Sequence, residues 1–121
     1  MATILVIDDD KIVREAVTDI LEIFHVNVLS ASNGEEGVEI FRNNADQIDG
    51  VIVDRRMPKL DGLATLQKLR AIQKDIPVIM SSGYALEDQE IELNLEKPSA
   101  YLYKPYEIQD LIELVEKVIL K

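Results

Sequence analysis

Asp8 and Asp9 close a short apolar run, Ile4 to Ile7, and Asp54 closes another, Val51 to Val53. Ser81 and Ser82 follow the run Ile76 to Met80, and Lys104 follows Ala100 to Tyr103. If these runs are strands of one sheet, three carboxylates, a hydroxyl and an ammonium meet along one edge. Carboxylates crowded together repel one another, and their pKa values rise unless a cation compensates them. A hard divalent ion such as Mg²⁺ takes carboxylate oxygens together with waters and phosphate oxygens, which suits Asp8, Asp9 and Asp54. A carboxylate held beside such an ion can act as a nucleophile toward phosphorus. A hydroxyl and an ammonium can then stabilise charge on the equatorial oxygens of a phosphoryl group in transfer.

The elements needed to position these groups are legible in the hydrophobic pattern. Thr3 to Ile7 is a continuous apolar run with β-branched residues, as in a strand buried on both faces. Asp10 is placed to cap a following helix, in which Val13, Ala16, Val17, Ile20, Leu21 and Phe24 recur at helical spacing. The alternation continues with a strand over Val26 to Ala31, a helix over Glu35 to Arg42, and a short strand over Val51 to Val53. A third helix is predicted over Leu63 to Ala71, a fourth strand over Ile76 to Met80 and a fifth over Ala100 to Tyr103. An amphipathic helix from Ile108 to Ile119 closes the chain. Five strands alternating with helices predict a doubly wound α/β fold, a parallel sheet covered on both faces. Ligands of such folds bind outside the carboxyl ends of the strands, where strand order reverses.

Composition narrows the function classes. The 121 residues suffice for one domain, so 1–121 is expected to be a single unit with no output domain in this chain. Thirteen Lys plus Arg against 23 Asp plus Glu leave a net charge of −10, which disfavours direct binding to nucleic acid or to anionic membranes. No cysteine is present, which excludes disulfides and thiolate metal sites and fits a cytoplasmic protein. No apolar run approaches transmembrane length.

The segments ILVIDDD, VIVDRRMPKLDG, PVIMSSG and YLYKPY, in this order, resemble the successive signatures of response-regulator receiver domains (CheY-like) of two-component signal transduction. The resemblance spans about residues 3 to 120, with Lys104 lying 22 positions after Ser82. It implies a flavodoxin-like (βα)5 fold with strand order 2-1-3-4-5. It also implies a phosphoprotein that accepts a phosphoryl group on Asp54 from a histidine kinase or phosphotransfer protein, in a Mg²⁺-dependent reaction. Asp9 and Asp54 would bind the metal, Asp8 would assist through water, and the backbone carbonyl of Arg56 would complete the protein ligands. Ser82 and Lys104 would each contact a phosphoryl oxygen, and Tyr101 would reorient with Ser82. The Lys104–Pro105 bond would be cis. Such a module assists its own phosphorylation and dephosphorylation without turning over a separate substrate, and it switches a surface for a downstream protein or output domain. It would be a monomer or a phosphorylation-dependent dimer.

Plainer readings stand beside these. An acid run after a strand is often a solvated loop, and Asp10 is better read as a helix cap than as a ligand. Asp61 and Gly62 read as turn residues, with Gly62 permitting positive φ. Adjacent serines point to opposite faces of a strand, and the family pattern selects Ser82 over Ser81. His25, at the end of the first helix, reads as a packing or capping residue.

Two departures from the family pattern stand out. Arg55 and Arg56 follow the acceptor position, where Arg55 replaces a usually apolar residue and is expected to pair with a nearby acid. Arg56 and Tyr84, two positions beyond Asp54 and Ser82, are expected to tune hydrolysis of the phosphorylated form. The segment Ala85 to Ser99, rich in Glu and interrupted by Pro98, predicts a short or irregular fourth helix and a basic partner surface. Two other functions remain open at this point. Asp8 and Asp10 form a DxD after a strand, as in small phosphohydrolases of the haloacid dehalogenase type. A receiver-like docking domain that is never phosphorylated, with a guanidinium in the metal's place, is the other.

Overall fold

The computed structural model describes residues 1–83 and 96–120. Strands β1 (Thr3–Ile7), β2 (Asn27–Ala31), β3 (Gly50–Asp54), β4 (Val78–Ser82) and β5 (Ala100–Tyr103) form one parallel sheet in the order β2-β1-β3-β4-β5. Helices α1 (Lys11–Ile23), α2 (Gly34–Asn44), α3 (Gly62–Ile72) and α4 (Ile108–Leu114) pack around it, and α4 runs on into a π-helical turn, Val115–Leu120. The fold is therefore the doubly wound, flavodoxin-like α/β arrangement. The expected helix between β4 and β5, its irregularity, and Tyr84 lie outside the described residues.

Each face of the sheet has its own core. Val38 and Phe41 of α2 and Leu66 and Leu69 of α3 pack with Leu5, Val51, Val53 and Met80. On the other face, Val17 and Leu21 of α1 and Leu111 and Val115 of the closing helix pack with Ile4, Val6, Ile52 and Ile79. Strands buried on both faces explain why β1, β3 and β4 read as continuous apolar runs. In the widened last turn Ile119 lies against Gly50, where any side chain would collide, an added Cβ coming within 2.6 Å of Ile119. Among the described residues, no helix is long and apolar enough to cross a membrane.

Local signals set the helix ends. The Asp10 side chain accepts from the amides of Ile12 and Val13 and caps α1, as the sequence predicts. At the other end His25 adopts a left-handed conformation, φ 64°. Its amide donates to Glu22 O and that of Val26 to Leu21 O, which satisfies two terminal carbonyls. His25 is exposed, so its role is to end the helix through its backbone and not to pack.

Two readings need correction. β4 extends through Ser81 and Ser82, because both pair in register with β5, and Ser81 also pairs with Asp54 of β3. Pro77 cannot donate to the ladder, and the regular strand begins after it. Gly62 does not supply positive φ; no described glycine does. It is instead the first residue of α3, and an added Cβ would lie 2.3 Å from Asp54 O and 2.7 Å from Arg55 Cα.

Candidate functional site

The strand order brings the carboxyl ends of β1 and β3 side by side, with β4 and β5 following across the sheet. Carboxylate oxygens of Asp8, Asp9 and Asp54 lie within 4.8 Å of one another. Asp8 and Asp54 are buried, whereas Asp9 is exposed. Lys104 Nζ donates to Asp54 Oδ1 at 2.9 Å, joining residues 50 positions apart in the chain. The Lys104–Pro105 peptide is cis.

The electrostatics follow from this crowding. Burial pushes the Asp8 carboxyl up to about 6, opposed by the Asp10 amide that donates to Oδ1 at 2.9 Å and reinforced by the charge of Asp54. Burial likewise raises Asp54, against the hydrogen bond and charge of Lys104. For Lys104, burial favours the neutral amine, but the hydrogen bond and charge of Asp54 outweigh it and raise the pKa. Three carboxylates facing one ammonium leave an excess of negative charge on hard oxygen ligands. That donor set fits a divalent cation such as Mg²⁺ and suits soft or thiolate-seeking metals poorly.

Ser82 is buried at the end of β4. Register places Ser81 directly beside Asp54, and Ser82 one residue nearer the open edge and on the opposite face. The Ser81 hydroxyl is buried with no hydrogen-bond partner among the described residues. Tyr101 is half-buried and stacks on Tyr103, with ring centroids 5.9 Å apart and planes inclined by 9°. Arg56 is exposed in the loop after β3. Arg55 pairs with Asp61 at 3.5 Å, as expected of an arginine on so acidic a chain. Of the acidic segment before β5, Glu96 is described, and it pairs with Arg70 at 3.2 Å.

Some functional placements escaped the sequence reading. Arg14, on α1, donates to the carbonyl of Asp8 at 2.7 Å and pins the loop that carries Asp8 and Asp9. Asp61 is the N-cap of α3, its side chain accepting from Ala64 N. An Asp immediately before an apolar helical pattern was the available signal. Tyr106 is close enough to Asp8, Asp54 and Lys104 to feel their charges, and burial raises its pKa. Asp10, the second acid of the DxD, spends its carboxylate on the helix cap, which weighs against a phosphohydrolase.

Residues 4–116 match the response regulator receiver domain family. The chain belongs to this family. A receiver domain from Clostridium thermocellum is 38% identical, covers 97% of this chain and 93% of its own, and superposes with a TM-score of 0.88. The response regulator TrrA of Thermotoga maritima, solved in complex with Mg²⁺ and beryllofluoride, is 29% identical with a TM-score of 0.83, over 97% of this chain and 98% of its own. The probable C4-dicarboxylate response regulator DctR of Bacillus subtilis is 36% identical over 94% of this chain and 50% of its own length. The chain spans about half the length of this curated relative. It is thus a receiver domain of two-component signal transduction, a family in which phosphorylation on Asp and Mg²⁺ binding are typical.

Proposed function

We propose that this receiver accepts a phosphoryl group on Asp54 from a phosphohistidine of a histidine kinase or phosphotransfer protein. The observation that carries the reading is the buried Asp54, paired with Lys104 at 2.9 Å and adjoining the carboxylates of Asp8 and Asp9. An Asp54 carboxylate oxygen attacks phosphorus, the phosphorus–nitrogen bond of the donor breaks, and the electron pair returns to the imidazole, which takes up a proton. The product is an aspartyl phosphate. Asp9, Asp54 and the Arg56 carbonyl would hold Mg²⁺, and Asp8 would assist through water. The ion, when bound, neutralises charge on the donor's phosphoryl oxygens.

Lys104 exchanges its bond to Asp54 for one to a phosphoryl oxygen, and Ser82 donates to another. Inward movement of Ser82 frees space for Tyr101, which couples the site to a partner-binding surface. Arg56 and Tyr84 hinder an in-line water and prolong the phosphorylated form. If replacing both by smaller residues leaves the dephosphorylation rate unchanged, that tuning role is wrong. The downstream partner is a protein or output domain with a basic surface.

Incubation with acetyl phosphate and Mg²⁺, followed by intact mass, tests the acceptor. The expected result is a Mg²⁺-dependent phosphoryl adduct that Asp54→Ala abolishes. A folded wild type that forms none, and shows no response to beryllofluoride, would be a docking domain instead. Ser82→Ala should slow adduct formation more than Ser81→Ala; the reverse order would transfer the hydroxyl's role to Ser81.

A further inference from the structure

Arg55 stands between the acceptor and the helix that follows it, and its neighbours define an unusual junction. Its amide donates to Ser81 O at 2.8 Å, and its carbonyl accepts from Gly62 N at 2.9 Å. Its guanidinium, largely buried, lies 3.5 Å from Asp61 Oδ2. Asp61 meanwhile accepts from Ala64 N through Oδ1 at 2.9 Å. One carboxylate thus caps α3 with one oxygen and pairs with Arg55 through the other. Gly62 brings the helix so close that an added Cβ would sit 2.3 Å from Asp54 O.

The loop of residues 56–60 is therefore closed at its base twice, by the main chain between Arg55 and Gly62 and by the side chains of Arg55 and Asp61. That loop includes Arg56, whose carbonyl is the proposed third direct protein ligand, beside Asp9 and Asp54. A carbonyl binds a small cation well only if its orientation is set in advance, because otherwise binding must order the loop.

We infer that Arg55 is a positioning residue: its ion pair with Asp61 holds the loop after Asp54 in the form that presents the Arg56 carbonyl to the cation. The inference rests on the phosphoacceptor reading for its consequence, Mg²⁺ binding, but not for the loop geometry itself. An alternative role, plain long-range electrostatics, makes the opposite forecast for one of the two partners. Loss of the Arg55 charge would then strengthen cation binding, and loss of the Asp61 charge would weaken it. A strut requires both losses to weaken binding, and the double variant to be no worse than either single one.

The test is a double-variant cycle on Arg55→Met and Asp61→Asn, with Mg²⁺ affinity read by calorimetry. Methionine keeps much of the packing volume, and asparagine still caps α3. Each single variant is expected to bind Mg²⁺ about three- to tenfold more weakly, without further loss in the double variant. Arg55→Lys, which keeps the charge, should recover part of the affinity. Tighter binding by Arg55→Met, or additive losses, would overturn the strut.

A second readout needs no metal: amide exchange at Gly62, whose N–H bonds Arg55 O, relative to Ile52 in the core of the sheet. Faster exchange at Gly62 alone, equal in both single variants, is expected; unchanged exchange would overturn the inference. A wild type that binds no Mg²⁺ would sink the phosphoacceptor reading, and the Gly62 exchange would still decide the strut.

Discussion

Lys104 Nζ lies 2.9 Å from Asp54 Oδ1, an ion pair formed across 50 residues of chain and set among two further carboxylates. The Lys104 side chain is about one-third exposed, and that of Asp54 is nearly buried. The pair is therefore accessible to an incoming phosphoryl group on one side and anchored on the other.

Lys104→Met should slow phosphorylation of Asp54 by acetyl phosphate about a hundredfold, the usual scale for losing one donor to developing oxyanion charge. It should also tighten Mg²⁺ binding, because a competing positive charge is removed. Adduct formation rates and calorimetry test both; an unchanged rate would show that Lys104 takes no part in the transfer.

The raised Asp8 carboxyl sets a pH dependence. Its folded pKa is about 6 against an ordinary 3.8, so its favourable contribution is fully present below 3.8 and is lost as pH rises through 6. Without divalent ions, stability should fall by on the order of 2 kcal/mol between about pH 4 and 7 from this group, and Asp8→Asn should flatten that window. Mg²⁺ affinity should rise across the same range, as the carboxylate becomes ionised. Urea titrations in the presence of a chelator check the stability; a slope that Asp8→Asn leaves intact would assign the effect elsewhere.

Gly62→Ala tests close approach in place of backbone freedom. Its Cβ would meet Asp54 O and Arg55 Cα, both main-chain atoms that cannot swing aside. Overpacking of this kind costs about 1–3 kcal/mol and should displace the acceptor loop, weakening Mg²⁺ binding at the same time. Denaturant titration with calorimetry separates this from a mild helix-favouring substitution, which would stabilise the protein and leave the metal site unaffected.

His25→Gly should raise stability by about 0.5–1 kcal/mol, because His25 sits at φ 64°, where glycine carries no Cβ penalty. The exposed imidazole loses little by its removal. A thermal midpoint that falls would mean the side chain makes contacts that matter.

Much of this molecule is legible in the chain. Continuous apolar runs identify parallel strands, and β1 and β5 have the boundaries the pattern predicts; β1 is buried on both faces and tolerates few polar residues, whereas β5, at the sheet edge, buries Leu102 alone. Asp10 before a helical repeat identifies a cap, since that side chain satisfies amides only a few positions away. Asp8, Asp9, Asp54, Ser82 and Lys104 announce themselves by following strand runs. These signals survive in one dimension because the interactions behind them are local or depend on a simple periodicity.

Tertiary structure decided the rest. Residue periodicity contains no strand order, and it is the order β2-β1-β3-β4-β5 that puts the ends of β1 and β3 together and lets Lys104 reach Asp54. The serines after Met80 read as following the strand, yet pairing of both with β5, and of Ser81 also with Asp54 of β3, extends β4 through them. Gly62 looks like a turn glycine, but the space it leaves is taken by the backbone of Asp54 and Arg55. The pairing of Arg55 with Asp61, the anchoring of Asp8 by Arg14 and the pKa of Asp8 likewise arise from groups brought close only by packing. Sheet register, burial and charge proximity are properties of distance in space, and the sequence specifies them only through the folded chain as a whole.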